Sequence, residues 1–239
     1  MTRSLAPWVH RRLLEQFGDP AWEPNNAPLE ELIGTILSQH TSDLNSGRAF
    51  TALTTAFTTW EDVRDAPLER LIETIRCGGP AAVKARRIQE VLRALTDDDG
   101  RVRLPDLRRM RRTQALGFLT GLPGVGRKTA GCVLLFGSHV PAIPVDTHVY
   151  RVVRRLGLVP PAASPETSTD VLEAALDPRD YYAFHVNLIR LGREICKAAR
   201  PRCEVCPLRE KCQFRRSSAS PPERLGSRPR PYRTGVSGA

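Results

Sequence analysis

The segment GLPGVGRKTA, residues 121–130, decides how this chain is read. Gly121 and Gly126 enclose four residues, and a basic residue, a lysine and a threonine follow, which is nearly the composition of a phosphate-binding P-loop. In a P-loop the lysine follows the second glycine directly, whereas here Arg127 takes that place and Lys128 comes one residue late. A P-loop also needs a buried strand ahead of it to aim the loop. The preceding TQALGFLT instead sets Ala115, Leu116, Phe118 and Leu119 on one helical face, and the following TAGCVLLF reads as a buried helix. The pattern that fits is helix, tight Gly-Pro turn, helix. Gly124 and Gly126 allow positive φ and close approach of a ligand, and the unpaired amides opening the second helix favour an anion such as a DNA phosphate.

Working outward, the same helical spacing recurs. PLEELIGTILSQ carries Leu29, Leu32, Ile33, Ile36 and Leu37 on one face; PLERLIETIR repeats this with Leu68, Leu71, Ile72 and Ile75; VKARRIQEVLRAL does so with Val83, Ile88, Val91, Leu92 and Leu95. CGGP and DDDG break the helices, and no alternating run argues for a strand, so the fold class is all-α. At 239 residues the chain can bury a substantial core. Its net charge of +10 favours a polyanionic partner over an acidic small molecule. Apolar runs such as CVLLFG are too short to span a bilayer, and the first residues hold no apolar core of signal-peptide type, so an intracellular protein without membrane attachment is expected.

Lysine is scarce: only Lys84, Lys128, Lys197 and Lys211 among 36 basic residues. Where lysine stands in so arginine-rich a chain, its capacity to lose a proton and attack carbon is worth weighing. Lys128 falls in the first turn of the second hairpin helix, where the helix dipole and Arg127 both disfavour the ammonium and so favour a nucleophilic amine. The competing role is a phosphate contact, which arginine would serve equally well. In IPVDTHVYRVVRRLGLV, Asp146 is placed to cap the helix that follows, and a capped carboxylate is also a fixed one, so capping and catalysis are compatible.

Cys196, Cys203, Cys206 and Cys212 form a C-x6-C-x2-C-x5-C run. Without a signal peptide disulfides are not expected, and four close cysteines suit a metal site. Structural zinc generally uses two close pairs and only Cys203 and Cys206 make one, so an iron-sulfur cluster with four thiolates matches better than zinc. Lys197, Arg200 and Arg202 would lie on the loop so pinned, against a DNA backbone. Cys77 and Cys132 sit in apolar, helical surroundings and are expected in the core. From residue 215 onward the chain is rich in Ser, Pro, Gly and Arg, with six Arg against one Glu, and reads as a disordered basic tail.

Taken together, LPGVGRKTA, PVDTH and the cysteine run resemble the endonuclease III family of DNA glycosylases, in the helix-hairpin-helix superfamily, over residues 28–214. The resemblance implies two helical domains flanking a DNA-binding cleft: a six-helix domain with the hairpin, residues 27–140, and a [4Fe-4S] cluster domain made of 1–26 and 141–214. It implies Leu122, Gly124, Gly126 and Arg127 as the hairpin's DNA contacts, Lys128 as nucleophile and Asp146 as its carboxylate partner. The activity implied is base-excision repair: glycosylase and abasic-site lyase action on double-stranded DNA carrying oxidised pyrimidines or abasic sites. A flipped-out nucleotide would be attacked at C1′ by Lys128, and a Schiff base would lead to β-elimination. A cytoplasmic monomer is implied, nucleoid-associated if the source is bacterial. The alternative within the superfamily is a non-catalytic DNA-binding protein or a monofunctional, mismatch-type glycosylase.

Two places depart from the family pattern. Where a glutamine commonly fills the hole left by the flipped base, LSQHTSD offers Gln39 or His40. Where an aliphatic side chain commonly wedges into the duplex, CGGPAAVKA offers only Pro80 and Ala81.

Overall fold

The computed structural model describes residues 5–219. The periodicities above become α2 (Pro28–Ser38), α5 (Leu68–Thr74) and α6 (Ala81–Ala94), joined by α1 (Ala6–Phe17), α3 (Asp43–Ala56) and α4 (Trp60–Asp65). The hairpin consists of α7 (Arg112–Thr120) and α8 (Arg127–Cys132), and α9 (Thr147–Leu156), α10 (Pro165–Ala175), α11 (Tyr181–Glu194) and α12 (Gln213–Ala219) complete the chain. The fold is all-α, and the β-structure among the described residues is one isolated bridge between Thr96 and Val102. Local chemistry sets several boundaries. Pro28 opens α2 with Glu30 and Glu31 in its first turn. Thr59 and Asp62 close a reciprocal capping box on α4. Ser164 caps α10 ahead of Pro165, and Gly157 ends α9 in the left-handed region at φ 78°.

Two hydrophobic cores organise the chain. The first draws on residues from Leu32 to Ala142, and the second on Val9 and Leu13 of α1 together with residues from Ile143 to Cys212. The backbone passes from one core to the other between Ala142 and Ile143.

The second hairpin helix is shorter than TAGCVLLF suggests. After Cys132 the backbone widens into a π-helical turn, Val133–Gly137. The strap between α1 and α2 clasps this turn: the Trp22 indole donates to the Leu135 carbonyl at 2.8 Å, and the Asn25 amide donates to the Phe136 carbonyl at 3.0 Å. The wider turn thus exposes carbonyls to outside donors that an α-helix would have paired internally. A Cβ on Gly137 would stand 2.8 Å from the Pro28 Cα, so glycine there lets α2 lie directly on the turn.

Two expectations need correction. Cys132 is buried, but Cys77 is exposed, because it lies in a short 3-10 turn (Arg76–Gly78) between α5 and α6 and not on the inner face of either. The basic segment from 215 also begins as structure: residues 215–219 continue α12, while the tail reading for 220–239 lies outside the described residues.

Lys84 has a structural task. Only 3% exposed, its ammonium donates to the carbonyls of Leu37 and Gly78 and to the Thr41 hydroxyl, joining the end of α2, the loop at 39–42 and the turn before α6. Burial pushes its pKa below the ordinary lysine value. Replacing it with methionine keeps the stem but strands these acceptors, and we expect a loss of about 3 kcal/mol of stability in urea unfolding.

Candidate active site

A cleft of about 560 Å³ opens between the two cores, and Gln39, His40, Lys128, Asp146, His148 and Arg193 are among its walls. Lys128, the second residue of α8, is exposed. Cys132, one turn on, feels its charge, which works against the upward shift that burial imposes on the thiol. Asp146 is the N-cap of α9: its Oδ1 accepts the Val149 N–H at 2.7 Å, which fixes the carboxylate at the cleft. Sequence separation of eighteen residues thus collapses into one wall of one cleft.

A buried histidine lies behind this pair. His185 of α11 is 2% exposed, stands close enough to the Pro144 carbonyl to donate to it, and has no partner at Nδ1. Burial lowers its pKa to about 4; the Asp146 charge works against that shift and the Lys128 charge reinforces it. Its ring also meets Phe136 of the π turn at 5.6 Å. Burial likewise pushes the Cys132 thiol up to about 11.

The loops that the sequence marks for DNA contact are placed as follows. Gln39 is held: its amide donates to Thr129 Oγ1 at 3.3 Å, and its carbonyl accepts from Arg87 at 3.1 Å. His40 stands next to it, exposed and with φ 52°. Arg87 lies across Gly124, where a Cβ would collide with the guanidinium; with φ +66° as well, Gly124 is constrained twice. Gly126, at φ −84°, does not use the left-handed region. Leu122 is buried in the first core. Arg127 is engaged by Asp170 of α10, with one contact at 3.0 Å and a second between its other terminal nitrogen and the opposite carboxylate oxygen. The like-charge pressure it was expected to exert on Lys128 is therefore largely compensated. Pro80 is exposed but Ala81 is 8% exposed, and the open apolar side chains on these two segments are Val83 at 58% and Leu44 at 65%. Lys197 and Arg200 are exposed on the cysteine loop, as is Arg202.

Arg87 was missed by sequence reasoning, because one arginine among so many carries no signal until packing sets it over a particular glycine. Val83 was read as a core residue on helical periodicity and lies outside it.

Cys196, Cys203, Cys206 and Cys212 line a common cavity between α9, α11 and α12. Each of Cys203 and Cys206 is shifted upward, first by burial and further by its neighbouring thiols, Cys206 to about 11. Arg155 of α9 fastens this loop, donating to the carbonyls of Lys197 and Ala198 at 2.8 Å each and approaching the Cys196 sulfur at 3.4 Å. Among the described residues no three His, Cys, Asp or Glu side chains converge closely enough to hold a single metal ion.

Residues 33–178 match the family described as HhH-GPD superfamily base excision DNA repair protein. Endonuclease III of Thermotoga maritima is 37% identical over 207 residues, spanning 86% of this chain and 91% of that one. Endonuclease III of Bacillus subtilis is 36% identical over 186 residues, 78% of this chain and 81% of that one. A solved structure described as a trapped endonuclease III-DNA covalent intermediate superposes with a TM-score of 0.76 at 31% identity, covering 89% of this chain and 96% of that chain. The chain therefore belongs to the HhH-GPD superfamily of base excision DNA repair proteins. Within it, the protein is an endonuclease III-like DNA glycosylase.

His185 gives the fold an acid-labile element. An unfolded histidine binds its proton near pH 6.5, whereas the folded one does so only near 4, so the unfolded state holds more protons between these values. Stability should fall as pH drops from 6.5 to 4, by roughly 3 kcal/mol from this group. The loss should be smaller in His185→Gln, as read by urea unfolding at stepped pH.

Proposed function

We propose that the protein is a bifunctional glycosylase and abasic-site lyase acting on oxidised pyrimidines in duplex DNA. The observation that carries this reading is the placement of Lys128 and a capped Asp146 on one cleft. Lys128, as the free amine, attacks C1′ of the flipped nucleotide and the base leaves with its bonding pair and takes one N–H proton; the C1′–O4′ bond then opens, O4′ taking the second N–H proton, which leaves a Schiff base. Removal of a C2′ proton then expels the 3′ phosphate. Asp146, held by the Val149 N–H, stabilises the positive charge that develops on the sugar. The covalent complex in the related structure is consistent with such an amine, since a trapped intermediate requires a nucleophile on the protein.

Binding of the duplex divides among distinct surfaces. The hairpin turn around Gly124 and Gly126 lies against backbone phosphate. His40, the free neighbour of the engaged Gln39, fills the space of the flipped base. Val83 and Leu44, with Pro80, supply the apolar surface that meets the opened stack. Lys197, Arg200 and Arg202 add phosphate contacts from the cysteine loop.

The four cysteines fit a [4Fe-4S] cluster. They face a shared cavity, their thiols influence one another, and their C-x6-C-x2-C-x5-C spacing supports a four-thiolate iron-sulfur cluster over zinc. When bound, such a cluster would tie the loop at 196–212 to α9 as a structural brace.

Borohydride trapping on duplex DNA with one abasic site tests the amine. Wild-type protein should give a covalent adduct and Lys128→Gln none, while Lys211→Gln, altered at a lysine that packs over Trp8 at 4.7 Å, should react normally. Failure of the wild type to form an adduct would overturn the lyase assignment. For the cluster, the purified protein should be brown, with iron and acid-labile sulfide near four per chain. Stoichiometric zinc in a colourless protein would refute it.

A further inference from the structure

Gln39 and His40 are consecutive walls of the same cleft, but their side chains are treated differently. Gln39 stands in the middle of a short chain of hydrogen bonds: Arg87 of α6 donates to its carbonyl oxygen at 3.1 Å, and its own amide donates to Thr129 Oγ1 of α8 at 3.3 Å. Arg87 has little freedom to let go. Its side chain lies on Gly124 of the hairpin turn, and the three atoms nearest to a Cβ added there would be its Nε, Cζ and Cδ. The bond that it makes from this position is charge-assisted, from a cation to a neutral amide, and is stronger than an amide-to-amide bond would be.

His40 carries the opposite signs. It is exposed, and its φ of 52° lies in the left-handed region, which a histidine holds only where its surroundings impose it. The flanks of the loop do so. Lys84 donates to the Leu37 carbonyl and, at 2.8 Å, to the Thr41 hydroxyl, while that hydroxyl donates to the Gly78 carbonyl at 2.6 Å. Leu37 and Thr41 are thus pinned on either side, the Gln39 side chain is tied to α6 and α8, and His40 is the member of the loop that is left open to a ligand. The two residues are not equivalent readers. A glutamine amide sets a donor and an acceptor side by side, whereas a neutral imidazole carries them on opposite edges of a ring.

We propose that Arg87 decides which of these side chains meets the orphaned base, the one left without a partner when its nucleotide is flipped out. By holding Gln39 back it leaves the contact to His40, and in that way sets the preference of the protein for the base opposite the lesion. Arg87 acts through Gln39 without reaching the base itself, so it is a positioning residue. The inference rests on the reading that the loop at 39–40 fills the space vacated by the flipped base.

The test measures affinity, which needs no chemistry at Lys128. Four duplexes, each with one tetrahydrofuran abasic analogue opposite dA, dC, dG or dT, are titrated by fluorescence anisotropy with wild type, His40→Ala, Arg87→Met and the double variant Arg87→Met/Gln39→Ala. Wild type should rank the four duplexes, and His40→Ala should flatten the ranking. Arg87→Met keeps the stem over Gly124 but loses the donor, and the ratio of strongest to weakest Kd should move about 3-fold or more, the scale of one hydrogen bond gained or lost. Removing Gln39 as well should return the wild-type ranking, a rescue that a general packing defect would not show. Thr129→Val, which opens the other end of the chain of bonds, should shift the ranking in the same sense and carries the test if Arg87→Met does not fold. A ranking unaltered in Arg87→Met, or altered and not restored by Gln39→Ala, would overturn the proposal; an unaltered ranking with a salt slope lower by about one would make Arg87 a phosphate contact instead. A wild type that does not rank the duplexes, or a ranking that His40→Ala leaves intact, would sink the loop reading on which the proposal stands.

Discussion

The bond from the Val149 N–H to Asp146 Oδ1 is the constraint on which the rest of the site depends. It lies just beyond the point where the chain leaves the first core at Ala142 and enters the second at Ile143. A side chain at such a junction would ordinarily inherit the play of both units. The cap removes that freedom by making the carboxylate part of a helix whose inner face, Val149, Val152, Val153 and Leu156, is buried. Arg155, in the last turn of the same helix, grips the cysteine loop. The Asp146 carboxylate and the cysteine loop are thereby held by two ends of one rigid element.

Lys128 must be referenced to the same frame, and α10 does this. Glu173 accepts the Ile143 N–H at 3.0 Å at the junction itself and pairs with Arg112 of the first hairpin helix at 2.6 Å. Asp170, one turn earlier on α10, binds Arg127 of the second hairpin helix. Both hairpin helices are therefore pinned to a helix of the other core. In the first pair the carboxylate is the buried partner, with Glu173 8% exposed on its side chain against 42% for Arg112, whereas in the second Asp170 is 61% exposed and screened by solvent. Arg127, adjacent to Lys128, thus serves more as a tether than as a free charge.

What was legible in the sequence followed from local rules. The hairpin needs glycines at its turn, a helix start invites Asp146 as its cap, and four cysteines within one short run need no tertiary knowledge to be grouped. The cleft's other members became visible only through packing between distant segments. Arg87 reaches Gln39 across 48 positions, and Arg193 joins the cleft from a helix at the far end of the chain. Cys77 and Val83 were misplaced for a related reason: periodicity assigns a face, but a tight turn or a helix's first residues need not follow the face of the body. The π turn was hidden too, since its cause is the strap carrying Trp22 and Asn25, more than a hundred residues away.

The scarcity of lysine deserves a narrower meaning than the sequence lent it. Lys84 is as exceptional by count as Lys128, yet it is fully sequestered, its compact ammonium donating to acceptors from three segments that a planar guanidinium could not satisfy together. Rarity thus marks positions where arginine fails, and arginine fails for two unlike reasons, shape and reactivity. Environment separates them. Lys84 is saturated and hidden, whereas Lys128 is exposed on a cleft that Asp146 also lines. Only the second arrangement leaves a lysine open to a ligand from outside the protein.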